Sequence, residues 1–149
     1  MIQRIQSVYL LLASVLIGAM FLMPFAEIAN AQNQIYEFNA TGIVEEALGI
    51  MQNGWAIAGL IGIILLIHLL SIFLYKNRIL QMRILVFAIL LSFGLMGLLF
   101  FFVHRSFDDV TISYHLPMAF PVVVAIFDYL AIRGIAKDEA MIRSLDRIR

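Results

Sequence analysis

The stretch GWAIAGLIGIILLIHLLSIFLY, residues 54–75, decides what kind of fold this chain adopts. It contains no Asp, Glu, Lys or Arg, and only His68 is polar enough to interrupt its apolar run. Crossing the hydrocarbon core of a bilayer takes about 20 largely apolar residues in a helix. Residues 54–75 meet that requirement, and two further stretches meet it as well. SVYLLLASVLIGAMFLMPF (7–25) and ILVFAILLSFGLMGLLFFFV (84–103) are both free of charge. A fourth, YHLPMAFPVVVAIFDYLAI (114–132), carries Pro117, Pro121 and Asp128. Proline in a first helical turn is tolerated, so Pro117 is placed there, whereas Pro121 is expected to kink the helix. Four spans within one membrane domain, residues 1–149, are predicted: an all-α integral membrane protein built as a four-transmembrane-helix bundle.

Composition agrees with that reading. The 149 residues are 63% hydrophobic and 13% charged, with a mean hydropathy of +0.98. Soluble domains are nearer half apolar and a quarter charged. Formal net charge is zero, so no global pull toward nucleic acid exists. The chain has no cysteine, which excludes disulfides, thiol nucleophiles and thiolate metal sites.

The basic residues set an orientation. Arg4 precedes the first span; Lys76, Arg78 and Arg83 lie at the connection between the second and third; Arg133, Lys137, Arg143, Arg147 and Arg149 follow the fourth. Arg105 is the one Lys or Arg on the other side, and the loop over residues 26–53 has four glutamates and no basic residue. By the positive-inside rule both termini are cytoplasmic, N-in and C-in. A rival reading takes Arg4, the apolar run and Ala29-Asn30-Ala31 as a secretory signal with its cleavage site. The apolar run exceeds the usual signal core of roughly 7–15 residues, which favours retention.

Small residues recur on the spans: Ser14 and Gly18, Gly59 and Gly62, Gly94 and Gly97. They read as internal packing of the bundle rather than as a dimerisation face. In the outer loop, QIYEFN alternates weakly, and TGIVEEALGIMQNG reads as a short helix before Gly54. Asn39-Ala40-Thr41 matches a glycosylation sequon, a pattern common by chance.

The closing segment after Ala131 is charged. On a helical wheel Ile135, Met141, Ile142, Leu145 and Ile148 fall within an arc of about 140° at 100° per residue. Asp138 intrudes on that arc and reads as an N-cap, with Gly134 marking a break from the fourth span. Residues 133–149 are therefore expected to form an amphipathic cytoplasmic helix. Its arginines suit anionic headgroups, and its apolar stripe suits the protein's own loops or a membrane or cytoplasmic partner. The candidate lipid or partner surface is Lys76, Arg78, Arg83, Arg133, Lys137, Met141, Arg143, Leu145 and Arg147.

Three segments together resemble a known family: MIQRIQSVYLLLA (1–13), FLYKNRILQMRI (73–84) and AIRGIAKDEAMIRSLDRIR (131–149). They look like the uncharacterised four-span Bacteroidota membrane-protein family called domain of unknown function 4293. That resemblance implies an inner-membrane protein with four helices, and it brings no catalytic residue.

Two constellations carry possible chemistry. Asp128 lies five residues before Arg133, about 7–8 Å inside the cytoplasmic end at 1.5 Å per residue, and His68 lies about 10 Å inside the same end. An ionisable residue within a span needs a partner, so His68 and Asp128 form a candidate intramembrane pair, either helix glue or a proton relay. His104 and His115 bracket the short outer loop beside Asp108 and Asp109 and are weak candidates for metal or haem. Their spacing matches no closed metal motif. No GxSxG, HExxH or phosphate loop occurs, so neither a catalytic residue nor a cofactor is assigned. The expected function is a non-enzymatic accessory or scaffold protein of the inner membrane. The alternative is a small proton-coupled transporter using His68 and Asp128.

Overall fold

The computed structural model describes residues 3–29, 34–45, 49–106 and 111–146. Four helices dominate: α1 (Gln3–Ala19), α2 (Trp55–Phe73), α3 (Arg78–Ser106) and α4 (Phe120–Asp146). Three of the apolar helical stretches, Trp55–Phe73, Arg78–His104 and Leu116–Ile142, are long and apolar enough to cross a membrane. The chain is thus a multi-pass helical membrane protein. The apolar stretch of α1 is shorter, Ile5–Ala19. At 1.5 Å per residue the 17 residues of α1 rise about 25 Å, against a hydrocarbon core of about 30 Å. The expected span to Phe25 is cut short for a local reason. Met20, Phe21 and Leu22 each donate their N–H three residues back, to Ile17, Gly18 and Ala19, which tightens the chain into turns before Pro24.

The helices pack in a ring, α1 on α2, α2 on α3, α3 on α4 and α4 back on α1. Each contributes one inward stripe at spacings of three and four. On α3 the stripe is Gln81, Leu85, Ala88, Ser92, Leu95, Leu99 and Val103; on α2 it is Ile57, Ile61, Ile64, His68 and Ser71. The outward faces are more apolar than the inward ones. Leu66, Leu70, Phe73, Val86, Phe87, Leu90 and Phe101 are exposed, while Gln6, His68, Ser92, Asp128 and Asp138 are buried. A water-soluble protein inverts that arrangement, and lipid rewards it.

Five strands close one end of the ring, a departure from the expected all-α fold. They are β1 (Ala26–Ala29), β2 (Ile35–Asn39), β3 (Gly42–Glu45), β4 (Gly49–Asn53) and β5 (Thr111–Tyr114), in the order β4-β3-β2-β1-β5. Every pairing is antiparallel, and β5 joins from the α3–α4 connection by pairing with β1, Ala26 opposite Tyr114. The segment expected to be a short helix before Gly54 is instead β3 and β4, paired with each other and, through β3, with β2. Local helical propensity in Gly42–Glu45 and Gly49–Asn53 loses to the cross-strand pairing of these strands.

Alternation on β2 buries Tyr36 and Phe38 and exposes Ile35 and Glu37. Phe38 stacks on Phe102 of α3, centroids 6.2 Å apart, and meets Phe25 edge-on at 5.3 Å. The inner face of the sheet therefore shares one apolar core with Ile17, Ile57, Leu99 and Val103 at the ends of the helices. The sequon residues form the β2–β3 turn. Asn39 Oδ1 accepts hydrogen bonds from the Thr41 amide (3.0 Å) and the Thr41 hydroxyl (2.6 Å), and Gly42 follows at φ 127°. Gly54 abuts that turn so closely that a Cβ there would lie 2.7 Å from the Gly42 backbone.

Two expectations about α4 are corrected. Pro121 is the second residue of α4, where a missing N–H removes no intrahelical bond, so it opens the helix instead of kinking it. A short 3-10 helix, Leu116–Ala119, holds Pro117. Gly134 does not break the chain, since α4 runs on to Asp146 and the expected separate tail helix is its continuation.

Candidate functional site: the polar layers of the helix ring

His68 and Asp128 meet, as their depths predict. Nε2 of His68 lies 2.9 Å from Oδ1 of Asp128, and both side chains are fully buried. The pair links α2 to α4, helices that do not adjoin in the ring, so it crosses the middle of the molecule. It sits where two apolar clusters meet, with Ile64 and Val124 toward the sheet and Leu10, Leu85, Ala131 and Ile135 toward the other end.

Hydrogen-bond inventory restricts the protonation of this pair. Nδ1 of His68 is 2.7 Å from the Ile64 carbonyl, which can only accept, so Nδ1 carries a proton. Nε2 then either donates to a carboxylate, as imidazolium, or accepts from a carboxylic acid. In both states one proton lies between Nε2 and Oδ1, and the pair as a whole is neutral. Neutrality is what permits burial here, because an isolated charge in hydrocarbon is strongly disfavoured. Among the described residues Asp128 Oδ2 and the Ser71 and Ser92 hydroxyls, all buried, have no hydrogen-bond partner.

A second polar layer lies nearer the α2–α3 connection. Gln6 Nε2 on α1 donates to Asp138 Oδ2 on α4 at 2.7 Å. Asp138 is therefore a buried acceptor in mid-helix, and the N-cap assigned to it is corrected. Gly134, one turn earlier, lets Gln6 approach; a Cβ there would be 3.0 Å from Gln6 Cγ. Gln81 Nε2 donates to the Ser71 carbonyl at 2.9 Å, tying α3 to the last turn of α2. The sequence reading missed Gln6, Gln81 and this role of Asp138. The available signal was their position on the inward stripes, Gln6–Leu10–Ala13–Ile17 and Ala131–Ile135–Asp138.

Lys76, Arg78 and Arg83 gather at a cleft of about 740 Å³ between the α2–α3 connection and the far part of α4, where Glu139 and Ile142 form the opposite wall. A second cleft of about 500 Å³ shares Tyr75 and Arg78 and reaches Gln6. Arg133 and Lys137 are exposed and do not line the larger cleft. Met141 and Ile142 are exposed, whereas Ile135 is buried, so the tail stripe divides between the ring interior and the surface. Arg147 and the side chains of Arg143 and Leu145 lie outside the described residues.

The end-to-end match settles the kinship of the chain: the family described as Domain of unknown function (DUF4293) is matched over residues 2–148. The chain belongs to the DUF4293 family. No curated protein matches it. In this DUF4293 protein the two weak metal candidates stand apart in role. His104 is exposed and its Nδ1 bonds the Phe100 carbonyl (3.1 Å), while His115 Nε2 lies 3.6 Å from Glu27 Oε1. Among the described residues no group of three or more His, Asp or Glu could hold a metal ion, and Asp108 and Asp109 lie outside them.

Proposed function

We propose that this DUF4293 protein is a non-enzymatic accessory or scaffold protein of the bacterial inner membrane, found in Bacteroidota. In this reading it crosses the membrane four times, α1 included, with both termini cytoplasmic, and works within a membrane complex. One observation carries the reading: the ionisable groups buried in the ring are engaged with one another or with a glutamine. His68 holds Asp128 and Gln6 holds Asp138, so these groups tie helices together. The charged end of α4, the α2–α3 connection and the bilayer itself are then the contact surfaces.

Affinity purification from native membranes under mild extraction tests it. A stoichiometric partner is expected, and it should be lost when residues 143–149 are removed. The truncation spares Asp138, whose bond to Gln6 helps hold α4 on α1. Recovery of the protein alone would count against the scaffold reading.

A small proton-coupled transporter is the second reading, favoured by the unpartnered Asp128 Oδ2 and Ser92 hydroxyl inside the ring. It requires a proton or solute flux in proteoliposomes that Asp128→Asn abolishes while the protein stays folded.

A further inference from the structure

We infer that the cleft between the α2–α3 connection and α4 is a binding site for the phosphate headgroup of one anionic phospholipid. The site stands independently of the scaffold reading, since a transporter would carry it equally. Three cations line the cleft, Lys76, Arg78 and Arg83, against one carboxylate, Glu139. The lining therefore carries a surplus of positive charge. Arg78 is half-buried, and its Nη1 is buried with no hydrogen-bond partner among the described residues. Arg78 lines the cleft, and its planar guanidinium fork suits phosphate oxygens. The cleft also opens at the first turn of α3, whose positive dipole end adds to the same field.

The remaining walls say why the anion belongs to a lipid. Ile79, Leu80 and Ile142 are apolar and each more than two-fifths exposed. Cations at one end and an open apolar surface at the other match an amphiphile lying with its chains along α2 and α3. Basic pockets at the ends of membrane helices hold anionic headgroups by this combination. Free phosphate would satisfy the cations and leave the apolar walls unused.

Native mass spectrometry of the full chain in detergent, titrated with dioleoyl phosphatidylglycerol or dioleoyl phosphatidylcholine, tests the site. One phosphatidylglycerol should be retained per protein, in preference to phosphatidylcholine. Arg78→Gln with Arg83→Gln should weaken it about ten-fold or more, at about 1 kcal/mol per cation near a membrane surface. Arg133→Gln with Lys137→Gln removes equal charge from residues that do not line the cleft and should leave retention within about two-fold, a change under about 0.5 kcal/mol. Ile142→Glu places a carboxylate on the exposed wall and should abolish retention, which keeps the test decisive if the arginine variant does not fold. Equal binding of the two lipids, equal loss in the Arg133/Lys137 control, or retention undiminished by Ile142→Glu overturns the inference. Displacement by inorganic phosphate at matched concentration overturns it as well, as does a protein partner occupying the cleft in place of lipid.

Discussion

His68 and Asp128 show what a single buried pair decides in lipid. Removing either partner leaves the other desolvated and unpaired, a loss of about 3–5 kcal/mol in buried ion pairs. Replacing both by apolar groups removes the demand altogether. His68→Leu alone and Asp128→Ala alone should each lower the denaturant midpoint strongly in detergent micelles, while His68→Leu with Asp128→Val recovers most of it. Asp128→Asn is expected to stay within about 1 kcal/mol of the parent, because its amide donates to His68 Nε2 and keeps a neutral hydrogen bond. A double variant as unstable as the worse single one would refute the role of internal tie. This pair was legible in the sequence, since each residue is an ionisable group well inside an otherwise apolar span and both lie at similar depth. Gln6–Asp138 was not legible: the charges around Asp138 imitate a helix start, and its partner lies 132 residues away.

At the scale of elements, the four helices follow from apolar length, whereas the sheet does not. Its strands are four or five residues long, and β3 to β4 reads as helix until its partners are known. β5 joins β1 across more than half of the chain, a pairing no local pattern announces. That pairing has a sharp test because the native chain has no cysteine. The His115 amide donates to the Phe25 carbonyl at 2.9 Å, so the next pair, Ala26 with Tyr114, is a non-hydrogen-bonded one. Cα atoms in such pairs lie about 4.5 Å apart, within the range a disulfide spans. Ala26→Cys with Tyr114→Cys should cross-link on oxidation and run faster on a non-reducing gel. Closing so long a loop should raise stability by up to about 4–5 kcal/mol in the chain-entropy model. Glu27→Cys with Tyr114→Cys, whose side chains leave opposite faces of the sheet, should not cross-link. The reverse outcome would mean that β5 pairs with β1 one residue out of register, or not at all.

The whole molecule has two unlike ends, and connectivity places their residues without reference to a membrane. The sheet closes the end where α2 and α4 begin; the α2–α3 connection and the last turns of α4 form the other, where Lys76, Arg78, Arg83, Arg133 and Lys137 collect. Cations resist translocation, so the basic end is expected in the cytoplasm and the sheet outside it. Glu37 on the outer face of the sheet and Asn77 in the α2–α3 connection are both exposed. In the cysteine-free parent, Glu37→Cys should react with a membrane-impermeant maleimide in cells whose outer membrane alone is permeabilised. Asn77→Cys should react only after the inner membrane is broken. The opposite pattern would invert the protein. Labelling of both residues from one side would place an even number of crossings between them, and since α2 is the one long apolar helix lying between residues 37 and 77, that result would remove α2 from the membrane and with it the ring.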